Sequence, residues 1–177
     1  MIDSKESKNI SRLKITPIVI PRSQHIISRM QINDNALKVL YRLKNAKYKA
    51  YLVGGAVRDI LLGRRPKDFD VVTDAKPEQI RELFRNCRLI GRRFRLAHIQ
   101  FGKEIIEVST FRAPHHISDK SEGHAKDGRI IRDNVYGDID DDVWRRDFTI
   151  NALFYNIEDF SIVDYVGGIK DLEAGQL

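Results

Sequence analysis

Two acidic residues, Asp68 and Asp70, are separated by a single residue at the start of a β-branched run. Successive residues of a strand face opposite sides of its sheet, so this spacing places both carboxylates on one face and turns Phe69 toward the core. Neighbouring carboxylates raise each other's pKa unless a cation lies between them. In a chain whose formal net charge is +6, the pair is a candidate divalent-metal site, although surface acids or a helix cap would give the same pattern.

Two further acids are candidates for the same site. Asp147 lies within the sequence Arg145-Arg146-Asp147, and Glu107 is a polar residue inside an otherwise apolar strand. Two metal ions about 4 Å apart, bridged by carboxylates, are the usual arrangement for phosphoryl or nucleotidyl transfer. The residues alone leave open whether Asp147 or Glu107 is the third acid.

A glycine pair, Gly54-Gly55, precedes the two aspartates and follows a short apolar run. The pair is an ordinary turn signal, since glycine adopts positive φ without steric cost. Because a helical pattern follows it, the free N–H groups and the helix dipole would also suit an anion such as phosphate. Arg58, one turn into that helix, would reach the same anion. The sequence lacks the P-loop pattern of nucleoside triphosphatases.

The elements that must position these residues are predicted from hydrophobic periodicity. Helices are predicted over residues 33–47, 56–62, 77–86 and 143–153, and strands over 50–53, 96–101, 104–110, 154–155 and 162–166. Gly102 and Lys103 predict a hairpin turn between two of the strands. Helices alternate with strands and hairpins, so the expected fold class is α/β (α+β), with a mixed or antiparallel sheet flanked by helices.

The length and composition of the chain indicate how many domains it forms. Its 177 residues, 42% of them hydrophobic, suit one compact domain with a tail. Residues 1–30 show no clear period and are expected to form a flexible extension, in which residues 15–20 can lie against a domain spanning residues 31–177. A single cysteine, Cys87, excludes an internal disulfide and favours the reducing cytoplasm. No apolar run has the length of a membrane span.

Basic residues are concentrated between residues 81 and 95, where six arginines accompany one acid, Glu82. A patch of nearly one sign suits an RNA backbone, although helix ends and an exposed loop would also explain it. The candidate RNA-binding residues are Arg88, Arg92, Arg93 and Arg95. Residues 113–136 predict a long mobile loop. Its three histidines, His115, His116 and His124, lack the spacing of a zinc site.

Three motifs together resemble a known family. LVGGAVRD at residues 52–59, then LLGRRPKDFDVVT, and later RRDFTINAL, are similar to the class II nucleotidyltransferases of the polymerase β superfamily. That family comprises the bacterial poly(A) polymerases and the CCA-adding tRNA nucleotidyltransferases. The segments NCRLIGRRFRLAHIQF at residues 86–101 and PRSQHIISR at residues 21–29 resemble the poly(A) polymerase branch.

The resemblance implies a nucleotidyltransferase head domain and a set of residue roles. Asp68 and Asp70 would hold two Mg²⁺ ions, with Mn²⁺ as an alternative, and Asp147 would be a further active-site acid. Glu107 is the other candidate for a metal-facing carboxylate. The nucleotide-binding residues would be Gly54, Gly55, Arg58, Arg145, Arg146 and Asn151, the last by fixing the helix of its motif.

The implied reaction is the addition of AMP from ATP to RNA 3′ ends, with RNA and ATP as the partners of a monomeric cytoplasmic enzyme. CCA addition to tRNA is the alternative within the family, and a basic RNA-binding module without catalysis is the alternative outside it. Family members continue into neck, body and tail domains beyond the GGIKDLEAG-like segment. The 177 residues are therefore expected to form the catalytic head alone, with weak activity and weak base choice.

Overall fold

The computed structural model describes residues 16–92, 95–112 and 136–175. Within these residues the strands are β1 to β8, at Ile18–Ile20, Ala50–Val53, Asp70–Thr73, Cys87–Ile90, Leu96–Phe101, Glu104–Thr110, Leu153–Asn156 and Ile162–Asp164. The helices are α1 to α5, at Asp34–Asn45, Gly55–Leu61, Pro77–Leu83, Ile139–Val143 and Gly168–Ala174. None of the helices in this part of the chain is long and apolar enough to cross a membrane.

All eight strands form one sheet in the order β1-β8-β7-β2-β3-β6-β5-β4. Neighbouring strands of the sheet run antiparallel, except for β3 and β6, which run parallel. The predicted class, a mixed sheet flanked by helices, is confirmed. The hairpin of β5 and β6 has the predicted bounds, because Gly102 adopts φ +62° in a two-residue turn.

The sheet carries different cores on its two faces. Along β3, Val71 lies in the larger core with residues of α1, α2 and α3, such as Leu40 and Ile60. Val72 points to the opposite face and packs with Phe111 and Phe154. By the alternation of a strand, Asp70 shares the face of Val72. Asp70 therefore lies on the face with the smaller core, where its side chain is exposed to solvent.

The segment that contains the RRDFTIN motif differs from its prediction. The prediction of a helix over residues 143–153 is wrong. In the structure α4 ends at Val143, a 3₁₀ turn spans Thr149–Asn151 and β7 starts at Leu153. Contacts with α5 fix the turn: Oγ1 of Thr149 donates a hydrogen bond to Oδ2 of Asp171 at 2.5 Å. Tertiary contacts outweigh local helical preference here.

Part of the predicted N-terminal extension packs into the domain. Strand β1 pairs with β8 and forms one edge of the sheet, Nε2 of His25 lies 2.9 Å from the backbone oxygen of Phe160, and Ile27 is fully buried. Residues 1–15 lie outside the described part. The described domain therefore starts with β1 rather than at residue 31.

Substitution of Ile27 tests whether this segment stabilises the fold. We expect Ile27→Ala to lower the free energy of unfolding by about 2–3 kcal/mol, at the lower end for a buried isoleucine because the short segment can relax around it. Ile26→Ala is the matched control, because Ile26 is exposed. Urea denaturation would measure both. Equal, small effects would show that the segment does not contribute to stability.

Candidate active site

The glycine turn lies between β2 and α2. Gly54 adopts φ +72° and ψ −139°, a combination open to glycine and costly for residues with a side chain. A Cβ placed on Gly54 would lie 3.9 Å from Nη1 of Arg146, in ordinary contact. The turn therefore brings the backbone that precedes α2 next to a guanidinium from the RRDFTIN segment.

Three carboxylates converge beside this turn. Asp70, the first residue of β3, is in register with Glu107 on the parallel neighbour β6, and Asp68 lies two residues before Asp70. Loss of hydration raises the pKa of Asp70, the negative charges of Glu107 and Asp68 raise it further, and the positive charge of Arg146 lowers it. These four groups therefore form one electrostatic unit.

The donor set suits a metal that is completed by its substrate. Among the described residues, no three or more His, Cys, Asp and Glu side chains form a ready-made metal cage. Mg²⁺ is typically bound by one or two carboxylates together with substrate phosphates and water rather than by an all-protein cage. Asp68 and Asp70 fit that pattern, and the repulsion that raises the pKa of Asp70 is what a cation would relieve.

Arg146 is held from several sides. Its Nη2 donates to Oδ2 of the buried Asp142 at 2.8 Å, its Nη1 donates to the Asn151 backbone oxygen at 3.4 Å, and its guanidinium lies 5.1 Å from the centre of the Phe154 ring. Its buried Nε has no hydrogen-bond partner within the described residues. The guanidinium is thus fixed in place, and so is the positive charge that acts on Asp70.

An open cleft of about 300 Å³ lies next to the acids. It is lined by Leu96, Glu107, Ser109, Arg112, Asp142, Arg145 and Arg146. Arg145 reaches Asp142 through Nη1 at 3.4 Å. Desolvation and the neighbouring Arg145 lower the pKa of Arg112. Three guanidiniums around one cleft make it a suitable place for an anion.

Arg58 and Asn151 meet at the start of α2. Nη1 of Arg58 donates to Oδ1 of Asn151 at 2.8 Å, and its Nη2 lies 2.8 Å from Oδ1 of Asp59. Asn151 ends the 3₁₀ turn rather than lying inside a helix over residues 143–153. It braces Arg58, and Arg58 in turn lies against Gly55, where an added Cβ would be 3.5 Å from Nη2.

Asp147, predicted as a third acid, is not among the charges that shift the pKa of Asp70. It is exposed, and its Oδ1 accepts a hydrogen bond from the Phe148 N–H at 3.0 Å. The charges that shift the pKa of Asp70 come from Glu107, Asp68 and Arg146. Of the two candidates left open by the sequence, the structure brings Glu107 to the aspartate pair.

The arginine-rich segment is only partly described. Arg88 on β4 and Arg92 after it are exposed, whereas Arg95 pairs with Glu78 at 2.5 Å. Arg93 lies outside the described residues, as do His115, His116 and His124. Two cations, Arg88 and Arg92, therefore remain on the described surface as candidates for an RNA contact.

Comparison with known proteins decides the family. The family described as the poly(A) polymerase head domain matches residues 50–177. Poly(A) polymerase I of Escherichia coli O157:H7 is 57% identical over 176 residues, which are 98% of this chain and 37% of that protein. The chain belongs to the poly(A) polymerase head-domain family. It spans little more than a third of the length of the curated relatives it matches.

More distant relatives of this head domain are named as CC-adding or CCA-adding enzymes. A CC-adding tRNA nucleotidyltransferase of Halalkalibacterium halodurans is 40% identical over 78% of this chain and 31% of its own. The crystal structure of the Bacillus stearothermophilus CCA-adding enzyme in complex with CTP has a TM-score of 0.62 at 32% identity, over 78% of this chain and 31% of that one. The observed sheet is therefore that of a nucleotidyltransferase head.

Sequence reasoning missed three residues around the site of this head domain, namely Asp142, Arg112 and His98. Asp142 precedes Arg145 and Arg146 by three and four residues, the spacing of ion pairs on a helix, and that signal would have identified it. Arg112 follows the strand of Glu107. His98 is assigned to the site only through its pairing with Glu107 across β5 and β6.

Because the pKa of Asp70 is raised, replacing this residue by asparagine is expected to stabilise the fold by an amount that depends on pH. The folded state binds the Asp70 proton more tightly than the unfolded chain, so the ionised carboxylate destabilises the fold. The penalty is absent below the unfolded pKa of about 3.9. It develops as pH rises through the folded-state pKa and persists at neutral pH.

Asp70→Asn is therefore expected to raise the melting temperature at pH 7 in EDTA, and the gain is expected to vanish in acid. Differential scanning fluorimetry across pH would measure it. Asp74→Asn is the control, because this exposed acid accepts a hydrogen bond from the Lys49 N–H that asparagine can also accept. An equal gain at every pH, or no gain, would contradict the electrostatic origin.

Proposed function

We propose that the chain is the nucleotidyl-transferring head of a poly(A) polymerase that adds AMP from ATP to RNA 3′ ends. The observation that carries the proposal is the convergence of Asp68, Asp70 and Glu107 beside Arg146. Acids next to a fixed guanidinium suit a nucleoside triphosphate with its metal. The 57% identity to a protein named Poly(A) polymerase I supports AMP as the transferred group.

Asp68 and Asp70 would hold Mg²⁺, or Mn²⁺ in its place, and Glu107 is the third carboxylate we assign to the site. Bound there, the metal would neutralise triphosphate charge and lower the pKa of an attacking hydroxyl. Carboxylate oxygens are the ligands that both ions prefer.

Cationic side chains of the head would position the nucleotide. The guanidinium of Arg146 lies against the Gly54 turn, and its positive charge acts on Asp70, so we assign it to the triphosphate. Arg58, braced by Asn151, and the turn itself would contact the same phosphates, and Arg145 would reach the ribose or triphosphate from the cleft. These groups hold the α-phosphate in place, which is the main contribution of a protein to phosphoryl transfer.

In the proposed reaction the 3′-oxygen of the RNA forms a bond to the α-phosphorus of ATP. The bond from that phosphorus to the bridging oxygen breaks, and pyrophosphate leaves. The hydroxyl proton is released to solvent or a nearby base, and no covalent enzyme intermediate is required. The RNA would approach along the exposed cations of the arginine-rich segment, which gives binding a dependence on salt concentration.

Nucleotide choice separates the two activities found among the relatives. With a labelled RNA primer and Mg²⁺, the protein that contains this chain is expected to add successive AMP residues from ATP. With CTP and a tRNA that lacks its CCA end, we expect no CMP addition. Efficient CMP addition would replace the proposal by CCA or CC addition, the activity named for the relative of 40% identity.

A basic RNA-binding module without catalysis is the alternative from another class. It predicts that RNA binds, with the same salt dependence, while neither ATP nor CTP is incorporated. Filter binding and primer extension on the same preparation separate it from the proposed enzyme. RNA binding without incorporation by the protein that contains this chain would favour the module.

A further inference from the structure

A cross-strand row of polar residues leads from the edge of the sheet to the acids. Arg88 of β4 is paired with His98 of β5, His98 with Glu107 of β6, and Glu107 with Asp70 of β3. Directly opposite residues of neighbouring strands point to the same face, with their Cβ atoms about 4.5–5.5 Å apart. The register alone therefore brings the His98 ring to the Glu107 carboxylate.

The two side chains are in contact. Nε2 of His98 donates a hydrogen bond to Oε2 of Glu107 at 3.3 Å. The side chains are 29% and 42% exposed, so solvent screens the charge part of the interaction and its share of the folding free energy is small. The imidazole instead fixes the orientation of the Glu107 carboxylate, because a carboxylate this exposed would otherwise rotate freely.

We propose that His98 is a positioning residue that holds the Glu107 carboxylate turned toward Asp70. The inference rests on the proposed function, in which Glu107 belongs to the metal-binding acids. Carboxylates that bind metals are commonly oriented by a hydrogen bond from a second protein group, and loss of that group weakens metal binding or activity. His98 is the group that supplies this bond within the described residues.

Three substitutions test the assignment. His98→Leu removes the donor, and His98→Gln keeps an N–H at a similar reach. Gln100→Leu is the matched control, because Gln100 is the next residue on the same face of β5 and is paired with Ile105, away from the acids. Should His98→Leu fail to fold in a thermal melt, His98→Ser replaces it, since serine is too short to reach Glu107.

Calorimetric titration with Mn²⁺ in the presence of a non-hydrolysable ATP analogue provides a readout independent of turnover. We expect His98→Leu to weaken Mn²⁺ binding by about 10-fold, within the range seen for such partners. The value of kcat is expected to fall while KM for ATP changes little. His98→Gln should restore most of the affinity, and Gln100→Leu should match the unaltered protein.

Glu107→Gln identifies which claim fails. If Glu107→Gln weakens Mn²⁺ binding and His98→Leu does not, the positioning role is wrong and the proposed function stands. If Glu107→Gln leaves both Mn²⁺ binding and AMP addition unchanged, the role of Glu107 fails, and the positioning role fails with it. In the Glu107→Gln background, His98→Leu is expected to add no further loss. A full additional loss would show that His98 acts elsewhere and would overturn the inference.

Discussion

Replacement of Asp70 by asparagine is expected to reduce AMP addition by about 1000-fold, the equivalent of roughly 4 kcal/mol in the activation free energy. Asparagine keeps the size of the side chain and removes the charge that would hold a metal. Because the charges of both Asp68 and Glu107 act on Asp70, it is the acid whose loss affects the site most. Primer extension with labelled ATP measures the effect.

The matched control is Asp74→Asn just beyond the other end of β3, where the side chain serves only a backbone contact with Lys49 in the described structure. We expect activity to persist there. RNA binding should persist in both variants, since neither change touches the arginine-rich segment. Full activity in Asp70→Asn would show that the acids are structural and that the assigned site is wrong.

The same assay resolves which acid completes the site. Glu107→Gln is expected to lower AMP addition strongly, because Glu107 is in register with Asp70. Asp147→Asn is expected to have the smaller effect, since its hydrogen bond with the Phe148 N–H can be accepted equally well by asparagine. The reverse order would restore Asp147 as the third acid.

Arg146→Ala is expected to lower kcat/KM for ATP by about 100- to 1000-fold, the range for a donor aimed at transition-state charge. Arg146 is fixed by Asp142 and Phe154, and its guanidinium lies against the Gly54 turn. Its removal also withdraws the positive charge that lowers the pKa of Asp70. The expected consequence is a further rise in that pKa and a shift of the acidic limb of the pH–rate profile to higher pH.

Arg145→Ala is the matched control for Arg146. Arg145 shares the partner Asp142 but is exposed and lies farther from it, at 3.4 Å, so a much smaller loss is expected. The loss of kcat/KM in Arg146→Lys should lie between the losses in Arg146→Ala and Arg145→Ala. Lysine keeps the positive charge but lacks the planar guanidinium that donates two parallel hydrogen bonds. Circular dichroism checks that the fold survives. Equal losses at both arginines would contradict the separate role of Arg146.

Local signals account for what the sequence predicted well. The hairpin of β5 and β6 follows from alternation and a glycine turn, and α1 begins where Asn33 caps it, with Oδ1 accepting from the N–H groups of Asn35 and Ala36. The acid pair and the glycine turn are likewise contiguous in sequence. Such features need no knowledge of distant contacts.

What the sequence did not provide depends on contacts between distant residues. The parallel pairing of β3 with β6 sets Glu107 beside Asp70 across 37 positions, and periodicity carries no information about strand order. The same holds for Ile27, whose burial depends on the sheet. The 3₁₀ turn of the RRDFTIN motif depends on α5, where a Cβ on Gly168 would collide with the Thr149 backbone oxygen.

The most direct test of the central claim is to locate the metal. Crystals grown with Mn²⁺ and a non-hydrolysable ATP analogue would show Mn²⁺ by its anomalous scattering. The proposed site predicts Mn²⁺ bound by Asp68 and Asp70, with the triphosphate against the Gly54 turn and Arg146. Mn²⁺ bound elsewhere, or a triphosphate held without these residues, would contradict it.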